Sequence, residues 1–269
     1  MSPTLGAGAT RTVGTPKIDL NSDLGEGSTM AQMARDRAIL SVVSSANIAC
    51  GFHAGDTETM SETVRNASEY GVTVGAHVSY YDREGFGRRE LNISTAKLKS
   101  DLAYQIGALK AITTLNGTTV SYIKPHGALY NRIAYDDTQA RAVVETIATI
   151  DSRLVLLTLP GSVAMQVAQE LGICAIAEGF ADRAYTDDGR LVPRTIPGSV
   201  ITDPDEVVQR ALQMARDGTV TSSDGKVLRL DARSICLHSD TDGAAALSQQ
   251  IRLALEFAGI TVTSFIPTC

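Results

Sequence analysis

The chain has 269 residues, of which 43% are hydrophobic and 20% charged, with a net charge of −6. That length suits one large α/β domain and does not demand two. The acidic balance argues against nucleic acid or anionic membrane as the main partner, and no run of about 18 apolar residues is present to span a bilayer.

Residues 1–16 hold small residues, Gly and Pro and lack a basic start before an apolar core. They read as a disordered leader and not as a secretory signal, with a single domain over 17–269. KIDLN (17–21) reads as a first strand and SANIAC (45–50) as a second. Asp56 is placed to cap a helix over 57–70. VTVGAH (72–77) is a third strand. The clearest helix runs over 94–115, opened by Ser94 and closed before Gly117. Further along, TVSYIKPH (119–126), RLVLLTLPG (153–161), ICAIAEGF (173–180) and RSICLHSD (233–240) read as strands. Helical stretches fall over 136–150, SVAMQVAQELG, 203–218 and GAAALSQQIRLALEFAG. SSDGKVLRLD reads as a hairpin arm, and ITVTSF closes the chain. This alternation implies a parallel sheet with crossover helices. Seven or eight such units approach a TIM-like (β/α) barrel, with an open doubly wound sheet as the other architecture.

Cys50, Cys174, Cys236 and Cys269 form no CxxC pair. The first three sit in apolar runs, where a thiol serves as a small hydrophobe. A reduced, cytoplasmic protein is the expectation.

Each of the four histidines follows an apolar strand-like run: His53 after NIACGF, His77 after VTVGA, His126 after SYIKP and His238 after SICL. One histidine after a strand is often a packed structural group. Four of four point to a shared site, because parallel strands end on one face, where ligands bind. Carboxylates gather at the same strand ends. NSDLGEG brings Asn21, Asp23 and Glu26, Asp56 follows His53, and EGFADR brings Glu178, Asp182 and Arg183. For Asp23 and Asp56, helix capping is the plain alternative. Lys124, one of six lysines, lies in the apolar and rigid stretch YIKPH, where a cation needs an anionic partner. GFGRR adds Arg88 and Arg89 on a Gly-rich loop.

This inventory supports two chemistries. His with Asp or Glu can bind a divalent metal and activate water, with Asp23, His53 and His77 as the candidate ligands. The same groups can act as general acid and base on an amide without metal. No HExxH, GxSxG or GxxxxGK[ST] is present, so no Walker-type nucleotide site is visible.

At these residues the chain resembles the LamB/YcsF family, which supplies the A subunit of prokaryotic-type 5-oxoprolinase. The blocks carrying the resemblance are DLNSDLGEG (19–27), SSANIACGFHAGD (44–56), VGAHVSYYDREGFGRRE (74–90), YQIGALK (104–110), KPHGALYN (124–131), EGFADRAY (178–185), GRLVPR (189–194) and SICLHSD (234–240). Two departures stand beside histidines: Val78 where Pro is expected, and Ser239 where Gly is expected. The resemblance implies a seven-stranded barrel of glycoside hydrolase/deacetylase type. It implies ATP-dependent opening of 5-oxo-L-proline to L-glutamate, with ATP as cosubstrate and B and C subunits as partners. Carried onto this sequence, Asp23, His53, Asp56, His77, Lys124 and His126 become catalytic candidates. Asn21, Asn131, Glu178, Arg183 and His238 become substrate-binding candidates, with Lys124 and Arg183 for anion contacts. The competing readings are a stand-alone metal-dependent deacetylase or amidohydrolase, and a scaffolding subunit that holds substrate for its partners.

Overall fold

The computed structural model describes residues 15–237 and 243–266. The chain opens with β1 (Lys17–Leu24), α1 (Met30–Leu40), β2 (Ser45–Ala49), α2 (Thr57–Glu69), β3 (Thr73–Val78) and α3 (Thr95–Leu115). It continues with β4 (Val120–Pro125), α4 (Gly127–Arg132), α5 (Asp137–Asp151), β5 (Val155–Thr158), α6 (Val163–Glu170) and β6 (Ala175–Phe180). It ends with α7 (Pro204–Asp217), β7 (Thr219–Thr221), β8 (Val227–Arg229), β9 (Ser234–Leu237), α8 (Ala244–Phe257) and β10 (Thr261–Val262).

Seven parallel strands close into a barrel in the order β1-β2-β3-β4-β5-β6-β9, with β9 pairing back onto β1. Because β1 is hydrogen-bonded to both β2 and β9, the sheet has no free edge there, and the open doubly wound alternative is set aside. β10 adds in parallel to the start of β1, and β7 and β8 form the expected hairpin outside the barrel. Two elements were not read from the sequence: α4, a single short helix after His126, and α1. For α1 the signal was present. Thr29 and Gln32 form a capping box, but the helix that follows has little apolar periodicity.

Side-chain alternation divides two interiors. Leu20, Leu24, Ile48, Val74, Ala76, Ile123, Leu156 and Ile235 belong to the large core in which the helices pack against the strands. The opposite strand faces carry polar groups at positions such as Asp19, Asn21, Asn47, Tyr122, Lys124, Glu178 and Ser234, all buried. A smaller cluster of Tyr122, Val155, Leu157, Ile176 and Phe265 packs among them. Gly75 is required there, since a Cβ would lie 2.2 Å from the Tyr122 ring.

Two expectations need revision or fall outside these residues. Cys174 packs beside Tyr122 and its neighbours but is disulfide-bonded, so the reduced-thiol reading holds only for Cys50 and Cys236. Cys269, the leader up to residue 14, His238 and Ser239 lie outside the described residues. Val78 stays within β3, in register with Pro125, so this departure leaves the strand intact.

Candidate active site

Three imidazoles meet at the carboxyl ends of the first strands. His77 lies within β3, His126 follows β4 directly, and His53 comes from the turn after β2. Together with Glu26 their ligand atoms all lie within 4.8 Å of one another, a group able to hold a metal ion. His53 and His126 stack at 3.8 Å with an 8° angle between rings.

The outer hydrogen bonds fix which ring nitrogen faces inward. His77 Nδ1 lies 3.0 Å from the carbonyl oxygen of Lys124, and His126 Nε2 lies 2.8 Å from that of Phe86. A carbonyl only accepts, so each of these nitrogens carries the hydrogen. His53 Nδ1 lies 3.0 Å from Ser79 Oγ, whose own hydrogen goes to the Tyr80 carbonyl, so this nitrogen donates too. In their neutral form the rings therefore turn three bare nitrogens inward. His77 Nε2 and His126 Nδ1 face each other at 2.9 Å, and His53 Nε2 faces Glu26 Oε1 at 3.0 Å. Lone pairs at such distances repel unless a proton or a cation lies between them. Outward donation to carbonyl and hydroxyl oxygens is also how metal-ligating histidines are oriented.

Asp23 borders this cluster, with Oδ2 at 3.3 Å from His77 Nε2 and Oδ1 at 3.0 Å from Lys124 Nζ. Burial would raise its pKa, but the charges of His77 and Lys124 outweigh burial and hold Asp23 well below the usual carboxylate range. At His77, burial acts downward, and the Asp23 carboxylate overcomes it and raises the pKa. His53 and His126 have no such dominant partner; burial, followed by repulsion from neighbouring imidazoles, pushes both well below the ordinary value.

Lys124 is the centre of a second, buried network. Its Nζ lies 2.8 Å from Glu178 Oε1, 3.1 Å from Asn21 Oδ1 and 3.1 Å from Cys236 Sγ, besides Asp23. Burial opposes its charge, but Asp23, Cys236 and Glu178 outweigh burial and raise the pKa well above that of a free lysine. Asn21 donates to Glu178 and Ser234, and Tyr130 donates to the second Glu178 oxygen at 2.7 Å. Asn47 donates to Asn21 and Asp23 and accepts from Tyr122.

A cavity of about 810 Å³ opens over both networks. Of the sequence-predicted residues, Asp23, His77, Lys124, His126, Asn131 and Arg183 line it, joined by Glu26 and Arg88. His53, Asn21 and Glu178 stand directly behind that wall. Asp56 does not join them: it is exposed and caps α2, accepting from the Thr59 N–H at 2.8 Å. Sequence reasoning placed Glu26 at the correct face without giving it a role, although its position between Gly25 and Gly27 was a usable signal. Tyr130, Asn47 and Ser79 were not singled out, and a tyrosine, an amide and a hydroxyl in apolar runs carry no spacing that marks them.

Residues 18–268 match the LamB/YcsF family. The chain belongs to that family. Among LamB/YcsF relatives it is 51% identical over 248 residues to a 5-oxoprolinase A subunit of Agrobacterium fabrum, covering 92% of this chain and 97% of that protein. It is 52% identical over 249 residues to the 5-oxoprolinase A subunit of Acinetobacter baylyi, covering 93% and 98% of the two chains. The crystal structure of the lactam utilization protein from Thermus thermophilus superposes with a TM-score of 0.87 at 42% identity, covering 93% of this chain and all of that one, 100%. An uncharacterized protein from Agrobacterium tumefaciens shares the fold, with a TM-score of 0.60 at 13% identity.

Proposed function

We propose that this LamB/YcsF protein is the A subunit of a 5-oxoprolinase and performs the hydrolytic opening of 5-oxo-L-proline to L-glutamate. The observation that carries this reading is identity of about one half, over nearly the whole length, with proteins named as 5-oxoprolinase A subunits. The word subunit in those names supports partner chains, and we assign them to B and C subunits. ATP enters through the chemistry: a five-membered lactam is a stable amide, and phosphorylating its carbonyl oxygen turns it into an electrophile that water can attack. With no Walker-type loop in this sequence, we assign that activation to the partner subunits and the attack of water to this chain. A cytoplasmic setting accompanies this reading.

The inward-facing donor set of Glu26, His53, His77 and His126 fits a divalent cation. When bound there, such an ion would polarise a carbonyl or acidify water. The chain's own groups act around that position. Asp23, held anionic, accepts a hydrogen bond from the attacking water and aims it. Lys124, held cationic between Asp23 and Glu178, offers its charge to the phosphoryl oxygens that the activated lactam carries. Asn21 and Glu178 keep the Lys124 ammonium in place, and Asn131 stands at the cavity wall to orient the lactam.

The test is turnover of 5-oxoproline by the purified chain, with and without ATP and the B and C subunits, alongside its metal content. Turnover should require all three proteins and ATP. Hydrolysis by the isolated chain with metal alone would overturn the subunit reading in favour of a stand-alone amidohydrolase.

A further inference from the structure

Several charges in the cavity wall belong to neither network, and one of them, Arg183, is buried. Arg183 lies just past β6 and is only 7% exposed, yet it lines the cavity. Its Nε donates to the Ser199 carbonyl at 3.2 Å and one Nη to the Val192 carbonyl at 2.6 Å. Those are its hydrogen bonds among the described residues, and no carboxylate pairs with it there. A guanidinium has five N–H donors, so donors remain for the cavity. Arg194 lines the same wall and adds positive charge close enough to act on Arg183. The charge of Asp182 acts the other way, and the unused donors of a buried guanidinium remain costly until an acceptor arrives.

The side chain is also held rigidly. Arg183 pairs with Val200 in an antiparallel bridge, and the Ile201 N–H donates to the Asp182 carbonyl. Arg210, itself buried on α7, donates to the carbonyls of Ala181 and Arg183. Two buried arginines are thus spent on one turn: Arg210 fastens its backbone, and Arg183 is aimed from it. That is the pre-organisation expected of a planar fork awaiting a carboxylate. The reacting groups, Asp23, Lys124 and His77, come from β1, β4 and β3, whereas Arg183 follows β6. A ligand spanning the cavity therefore meets the hydrolytic groups and the guanidinium with different atoms.

We propose that Arg183 recognises the carboxylate of the substrate and restricts the site to lactams bearing an acid group on the carbon next to the ring nitrogen. This rests on the lactam-opening reading and adds a specificity determinant to it.

The experiment compares 5-oxoproline with its neutral carboxamide, 5-oxoprolinamide, in the complete complex with ATP. It uses the wild type, Arg183→Gln and Arg183→Lys. The wild type should prefer the acid, and Arg183→Gln should erase that preference by raising KM for the acid about 10- to 100-fold while leaving the amide little changed. Arg183→Lys should restore part of it, as a point charge in place of a fork. If Arg183 only braces the loop, both substrates lose equally and the acid-to-amide ratio survives, which overturns the proposal. If it meets a phosphoryl group instead, kcat falls for both substrates at an unchanged ratio, which also overturns it. A wild-type complex inactive on 5-oxoproline would remove the parent reading, an outcome distinct from a surviving ratio.

Discussion

Lys124 shows how tightly the polar interior is balanced. Its ammonium is the cationic partner of Asp23 and of the fully buried Glu178. Removing it leaves a buried carboxylate, Glu178, without its cation, a situation that costs about 3–5 kcal/mol. Lys124→Met should therefore lower unfolding free energy by that order in denaturant titrations, and Glu178→Gln in the same chain should return part of it. An additive double mutant would show that the two groups are not coupled. Asp19 offers a second test, away from the imidazoles. It accepts from Ser44 and Ser45 at 2.7 and 2.6 Å and from Ser234. Burial nonetheless raises its pKa from 3.8 to about 6, because the serine hydrogen bonds only partly offset the loss of water. The folded state thus holds this proton more tightly than the unfolded chain. The stabilisation from proton uptake is complete below pH ~4 and is lost as pH rises through about 6. Asp19→Asn should flatten the pH dependence of stability between those values by about 3 kcal/mol, measured as unfolding free energy at pH 4, 5, 6 and 7. A wild-type profile that is already flat across this window would refute the assignment.

At the scale of elements, the Gly-rich loop carrying GFGRR packs directly against the imidazole cluster. Gly87 adopts φ +65°, and a Cβ there would lie 2.8 Å from His126 Cδ2 and 2.9 Å from His53 Cβ. The same glycine accepts the Ala128 N–H at the start of α4, and the neighbouring Phe86 carbonyl orients His126. Gly87→Ala combines a left-handed backbone with a collision against the His126 ring and the His53 Cβ. It should cost about 1–3 kcal/mol in thermal or chemical unfolding and weaken divalent-ion binding as well. Unchanged ion affinity in a destabilised variant would mean that the loop is merely structural. Strands such as VTVGAH and SICL were legible because short apolar runs between turn residues, β-branched in the first, have few other outcomes. α2 was legible from Asp56, and the same cap explains why Asp56 is absent from the cavity: its carboxylate is committed to the helix N-terminus. α1 escaped because a capping box without an apolar stripe is a weak pattern.

For the molecule as a whole, the strand ends were foreseeable and the pairing across the barrel was not. Alternation and histidine position brought His53, His77 and His126 to one rim, but closure decides which side chains meet. Asn21 reaches Glu178 and Ser234 only because β9 returns to β1, a contact between residues 157 and 213 positions apart in sequence. No local pattern encodes such a separation. Closure also bears on the imidazole cluster, whose ligands come from four successive segments around the barrel: Glu26 after β1, His53 after β2, His77 in β3 and His126 after β4. An ion bound there ties these segments together in the folded state and finds no such site in the unfolded chain. By linkage, saturation at about 1,000 times Kd adds about 4 kcal/mol. For a chain of this size that is a rise of about 8–16 °C in Tm. Zinc or manganese added to chelator-treated protein should produce this shift by differential scanning calorimetry. His77→Ala and His126→Ala should each abolish it while Asp56→Ala keeps it, since Asp56 lies on the exposed cap of α2. Equal shifts in all three variants would place the ion elsewhere and leave the facing nitrogens of His77 and His126 to share a proton instead.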